Sequence, residues 1–221
     1  MTDPATDQRP RQRALVALRP VSPVEALRGG KRLVLFSSND YLGLSGHPRV
    51  TQAAVRSLAQ HGMGPRGSAL VCGWTAEHEA LEADLAALKQ TEAALLFPTG
   101  YQANLGALTT VAAERPTTFF SDAWNHASVI DGCRLARSRD GAEIEVWRHG
   151  DLDHLEDLLQ ALPRERRACI VTDAVFGMDG EVADLVALAD LAARYDALLV
   201  TDEAHATLVV ELPDCPVDLR V

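Results

Sequence analysis

The sequence predicts an α/β fold, a mostly parallel sheet with helices on both faces. Three observations predict it. Short apolar runs of strand length alternate with longer stretches of 3.6-residue apolar period. The connections between them are short, as in successive βαβ units. Two of the runs end on an acid, Asp173 and Asp202, where the carboxyl edge of an open sheet would bind a ligand.

The elements follow in order. Residues 1–20 are polar and rich in Arg, Gln and Pro, and read as an arm with a short helix over 12–18. The first strand signal is Leu33-Val34-Leu35-Phe36. A helix is expected over 49–60 and another over 76–89, where Leu81, Leu85 and Leu88 recur on one stripe and Glu82, Asp84 and Lys89 fall off it. A strand over 93–97 then leads into a helix over 101–111. Strands are expected over 117–120, 144–147, 168–172 and 197–201, separated by helices over 127–137, 151–162 and 182–195. The helix over 151–162 carries such a stripe too, in Leu152, Leu155, Leu158, Leu159 and Leu162.

Bulk properties exclude several classes. A length of 221 residues is ample for a core of one large domain. A net charge of −10 argues against nucleic acid or an anionic membrane as partner. No apolar run approaches the ~20 residues that span a bilayer. The opening Met1-Thr2-Asp3-Pro4 lacks a signal-peptide pattern, so a cytoplasmic location is expected. Cys72, Cys133, Cys169 and Cys215 are far apart, which gives neither a CxxC metal site nor a disulfide framework.

Five groups could carry chemistry, and each also has a plain structural reading. Phe97-Pro98-Thr99-Gly100-Tyr101 opens a helix whose amino terminus suits a phosphate, or is a turn with Thr99 as N-cap. Asp122-Ala123-Trp124-Asn125-His126 follows a strand, and its imidazole could stack on a planar ring or be an ordinary loop histidine. Asp173 to Gly180 is a polar strand end or a glycine-rich turn. Asp202, with His205 three residues on, is a capping carboxylate or the partner of a cation such as a pyridinium nitrogen. The glycines around Arg66, from Gly62 to Gly73, shape a pocket or a flexible loop.

Together these segments resemble the α-oxoamine synthases, pyridoxal-phosphate acyltransferases with the aspartate-aminotransferase fold. The phrases that carry the resemblance are Phe36-Ser37-Ser38-Asn39-Asp40-Tyr41-Leu42-Gly43-Leu44, Gly62 to Gly73 with Glu77-His78-Glu79, 97–104, Asn125-His126-Ala127-Ser128, 176–180 and 202–207, in the family's order. The resemblance implies the large domain of a fold-type I transferase over 33–207, an arm over 1–32, a divergent tail over 208–221 and no small carboxy-terminal domain. It implies pyridoxal 5′-phosphate as cofactor. Gly100 and Tyr101 would offer it backbone N–H groups, His126 would stack on its ring as the catalytic histidine, Asp202 would pair with its ring nitrogen and His205 would reach its hydroxyl. Asn39 and Arg19 would meet the substrates. The wording from Gly62 to Gly73 is most similar to members that join L-alanine to pimeloyl-CoA or a pimeloyl-carrier protein in biotin synthesis. Glycine with acetyl-CoA is the alternative within the family, and a noncatalytic fragment dimerising with a full-length homologue is the alternative outside it. Members are usually homodimers.

The chain departs from the family pattern. Gly177 stands where a serine is usual, and Ala206 and Leu208 replace glycines. The Schiff-base lysine expected about thirty residues after Asp202 does not occur. Lys31 and Lys89 are the only lysines, so catalysis by this chain alone is expected to be negligible.

Overall fold

The structure, a computed structural model, describes residues 15–221. Most of the helix expected over 12–18 can be tested only at 15–18, which are not helical, and 12–14 lie outside the described residues. The chain divides into two compact bodies, meeting at Gly64 and Pro65 in sequence.

In the first body, β1 (Arg19–Ser22), β2 (Glu25–Arg28) and β3 (Lys31–Val34) form an antiparallel meander. Gly29 and Gly30 both have positive φ, as a tight two-residue hairpin turn requires. The stretch expected as an arm therefore contributes two strands. Of the first strand signal, Leu33 to Phe36, only Leu33 and Val34 are in a strand, and that strand belongs to this small sheet and not to the parallel one. A 3-10 turn at Leu44–Gly46 precedes α1 (Pro48–His61), which has proline at its first position and no buried residue.

The second body opens with a π-helical turn at Ala69–Gly73. A Cβ on Gly73 would run into the Gly67 carbonyl, so this turn closes only on glycine. Then come α2 (Ala76–Lys89), α3 (Gly100–Glu114), β4 (Thr117–Asp122), α4 (Ala127–Asp140), β5 (Glu143–Trp147), α5 (Leu152–Gln160), β6 (Arg167–Asp173), α6 (Leu185–Arg194), β7 (Leu198–Asp202) and β8 (Leu219–Arg220). The five strands pair in the order β5-β4-β6-β7-β8, all parallel.

Period-two alternation builds three layers. Phe119, Cys169 and Val200 point to one face and pack with Leu108, Val111, Val129, Cys133 and Ala136 of α3 and α4. Their neighbours Phe120, Ile170 and Leu199 point to the other, against Leu155, Leu159, Leu185 and Leu188 of α5 and α6. Helices α3 and α4 pack closely because a side chain on Gly132 would strike Leu108 Cδ1 at 2.8 Å.

One further expectation changes. Residues 93–97 are not a strand. The Leu96 N–H donates to Glu82 Oε1 at 2.7 Å, so the segment is tied to α2 by a side chain rather than to a sheet edge. The tail over 208–221 supplies β8, the edge strand beside β7, through pairs Val200–Leu219 and Thr201–Arg220. Among the described residues, no helix is long and apolar enough to cross a membrane.

Candidate functional site

From β4 the chain goes to β5 on one side and then crosses to β6 on the other, so the strand order reverses at β4 and β6. A crevice forms at the carboxyl ends of strands at such a point. Asp122, Asp173 and Asp202 end β4, β6 and β7 there, and the first two are buried.

Asn125 closes the seam between β4 and β6. Its amide nitrogen donates to the Val171 carbonyl (2.8 Å) and to Ser121 Oγ (3.0 Å), while its Oδ1 accepts from the Asp173 N–H (3.0 Å). The next residue, His126, caps α4: its Nδ1 accepts from the Ser128 N–H at 3.3 Å and lies 2.7 Å from Ser128 Oγ. With Nδ1 accepting, the neutral ring carries its proton on Nε2. Its own N–H points at Asp173 Oδ1 (3.3 Å). The ring itself is exposed, as a stacking surface needs to be.

Asp202 is fixed from both sides. Asn104 Nδ2 donates to its Oδ2 at 2.7 Å and to Ser128 Oγ at 2.9 Å, and the Ala204 N–H donates to its Oδ1 at 3.0 Å. One network thus joins Asp202, Asn104, Ser128 and His126. Asn104 is buried one turn beyond Gly100, so α3 brings its amino terminus and this amide to the same edge. Thr99 caps α3 by accepting from the Gln102 N–H at 3.1 Å, as its plain reading expected, and this leaves the earlier amides of the first turn without intrahelical partners. The Tyr101 side chain turns to Asp131 on α4 (2.5 Å), a bond that raises the phenol's pKa.

His205 follows β7, and a Cβ on Gly177 would run into its ring. Glycine at 177 is therefore what lets His205 lie against the loop after β6. Ala206 is fully buried in the α5–α6 face of the core. Leu208 sits at φ +62°, a left-handed conformation that favours the glycine usual there. Lys89 is engaged elsewhere: its ammonium pairs with Glu203 and donates to Thr207 Oγ1 at 2.6 Å. Burial pushes Glu203 up, but the hydrogen bonds from Lys89 and Arg220 outweigh it and leave the carboxyl below its usual range. A cavity of about 800 Å³ opens beside these three residues, but its cations Lys89 and Arg220 are both bonded to Glu203 and its lining also holds Asp214, so it offers a phosphate no excess positive charge.

The site's charge is unbalanced. Burial raises the pKa of Asp173 to about 7, against the opposing His126 N–H, and the charges of Asp202 and Asp122 raise it further. Asp122 has a partner, His149, with Nδ1 at 2.9 Å from Oδ1. Asp202 and Asp173 have only neutral donors among the bonds described above. A cation placed there would relieve them.

Arg19 lies exposed on β1 and Asn39 in an exposed bend after β3, both in the first body. Gly100, Tyr101, His126, Asp202 and His205 lie in the second. Sequence reasoning missed the roles of Asn104, Ser128 and His149. Asn104 left a faint signal, an amide one turn inside a helix that opens on a glycine.

The model for aminotransferase class I and II matches residues 31–219. The chain belongs to that family. It is 45% identical to the 8-amino-7-oxononanoate synthase of Arabidopsis thaliana over 192 residues, 81% of this chain and 40% of that protein. The serine palmitoyltransferase of Sphingomonas wittichii superposes with a TM-score of 0.79 at 34% identity, covering 84% of this chain and 46% of that one. A serine palmitoyltransferase variant from S. paucimobilis, solved with bound PLP–myriocin aldimine, gives 0.78 at 32%, with the same coverage. The chain spans about half the length of the curated relatives it matches. These relatives are α-oxoamine synthases, and the family's cofactor is pyridoxal phosphate. The parallel sheet with helices on both faces is the large-domain architecture of fold-type I pyridoxal-phosphate transferases.

Proposed function

We propose that this chain provides the cofactor-binding part of a pyridoxal-phosphate-dependent acyltransferase that condenses L-alanine with a pimeloyl thioester to 8-amino-7-oxononanoate. The observation that carries the reading is Asp202, a carboxylate held by Asn104 and the Ala204 N–H at the end of β7, beside a second buried carboxyl that has no cation. The 45% identity to a synthase of that name supports the alanine and pimeloyl assignment.

When bound, the cofactor supplies an electron sink for negative charge at the amino acid's Cα. Asp202 would hold the proton on the ring nitrogen and so keep that sink effective. Asn104 keeps the Asp202 carboxylate from turning away. The first-turn amides of α3, at Gly100 and Tyr101, would receive the phosphate at the positive end of the helix. His126, anchored through Nδ1, offers its exposed ring face and the Nε2 proton. His205 would reach the ring hydroxyl from beside Gly177. Asn39 and Arg19 remain the candidates for substrate contact, and a homodimer in the cytoplasm is the expected setting.

Titration of the purified chain with pyridoxal phosphate, followed by absorbance, tests the reading. The chain is expected to bind saturably, and Asp202→Asn to bind at least ~10-fold more weakly, about 1.4 kcal/mol. Equal binding by both, or none by either, would overturn it. L-alanine added to the loaded chain should change the spectrum more than glycine or L-serine. The reverse ranking would remove the alanine assignment.

A further inference from the structure

Near the site lies a second cluster, gathered on the buried Asp122, that the proposed chemistry does not use. The geometry points to His149 as the positioning residue of the 123–126 loop, acting through Asp122 and Trp124 to hold His126 at the end of β6. This deepens the reading above and rests on it only for the consequence at the cofactor.

His149 follows β5 and contacts three separate segments. Its Nδ1 donates to Asp122 Oδ1 at 2.9 Å. The same Oδ1 accepts the Trp124 N–H at 2.8 Å, and Asp122 Oδ2 takes the Gly150 N–H at 3.4 Å. The His149 ring stacks flat on Trp124, with centroids 3.8 Å apart and planes at 12°, and meets the edge of Phe176 at 4.5 Å. Loops after β4, β5 and β6 are thus gathered on one imidazole. Two residues beyond Trp124, the backbone delivers His126 to Asp173.

Among the described residues, two carboxylates face the ring. Asp122 faces Nδ1 from β4, and Glu181 Oε2 lies 3.3 Å from Nε2 without hydrogen-bond alignment. Trp124 and Phe176 are uncharged, and the adjoining Arg148 is paired with Asp151. Burial pulls the pKa of His149 down, but the hydrogen bond and charge of Asp122, then the nearby carboxylate of Glu181, outweigh it and leave it above the usual range. His149 is therefore an imidazolium paired with the Asp122 carboxylate below that titration, and the ion pair is reduced to a neutral N–H donor on the carboxylate as pH rises through it.

Amide hydrogen exchange, read by NMR on the chain without cofactor, tests this. His149→Phe keeps an aromatic ring against Trp124 but removes the bond to Asp122. His149→Gln keeps a donor and cannot be charged. In the wild type, exchange at Trp124, corrected for intrinsic rates, should accelerate at least ~10-fold as pH rises through the His149 titration. In His149→Phe the Trp124 amide should be fast at every pH, and in His149→Gln intermediate and independent of pH, with the β4 core amides unchanged in each. Wild-type rates and the wild-type pH profile in His149→Gln would overturn the proposal, whether or not His149→Phe folds. Failure to bind pyridoxal phosphate would remove the functional reading while leaving this result intact.

Discussion

Helices α1 and α6 look alike in sequence and differ in what they bury. Both are amphipathic. Helix α6 buries Leu185, Leu188 and Leu191 against the sheet, whereas α1 buries nothing and leaves Val55 63% exposed. Strands repeat the contrast: every residue of β4 is buried and every residue of β3 is exposed. A 3.6-residue stripe fixes a helix and the face that needs cover, but it does not say which surface supplies the cover. In the second body the sheet supplies it, and rigid strand ends at Asp122, Asp173 and Asp202 result. In the first body the described chain leaves the stripe open.

Substitutions can break or sharpen this contrast. The largest effect belongs to Phe120, fully buried on β4: Phe120→Ala should lower stability by about 3–5 kcal/mol in urea denaturation. Next comes Asp173. Its raised pKa means that the folded protein holds a proton that the unfolded chain has released, so stability falls as pH rises from the usual carboxylate range to about 7. Asp173→Asn should therefore match the wild type near pH 4 and exceed it at pH 8 by roughly 1–3 kcal/mol, seen as a higher Tm. Leu208→Gly should stabilise by about 1 kcal/mol by removing a left-handed leucine, measured in the same urea series. Leu58→Ala on α1 should change stability by less than about 0.5 kcal/mol. A loss there as large as that at Phe120 would mean that α1 is covered after all.

Much of the fold was legible because the second body obeys local rules. Residues 117–201 show alternating burial and stripes at the periods the sequence displays, and the observed elements fall within a few residues of those expected. The strand expected over 93–97 failed because an apolar run specifies burial without specifying a hydrogen-bonding edge, and Glu82 took the Leu96 amide instead. The strand signal over 33–36 overlaps β3 only at Leu33 and Val34, and the membership of β3 in a separate antiparallel sheet was not legible, since pairing is a long-range choice. At the site, Asp202, His126 and the α3 amino terminus were readable from motif and position. Asn104, Ser128 and the His149–Asp122 pair were not, because each matters through a partner twenty or more residues away. The space Gly177 leaves for His205 likewise appears only when two loops meet in three dimensions.

The central claim is that Asp202 recognises a protonated ring nitrogen. Parallel titrations of the wild type and Asp202→Asn with pyridoxal phosphate and with its 1-deaza analogue, which lacks that nitrogen, test it most directly. The wild type should prefer the natural cofactor by at least ~10-fold, and Asp202→Asn should bind the two alike, so that the coupling in the cycle is at least about 1.4 kcal/mol. Equal affinity of the wild type for both compounds, or a preference that survives in Asp202→Asn, would contradict the account.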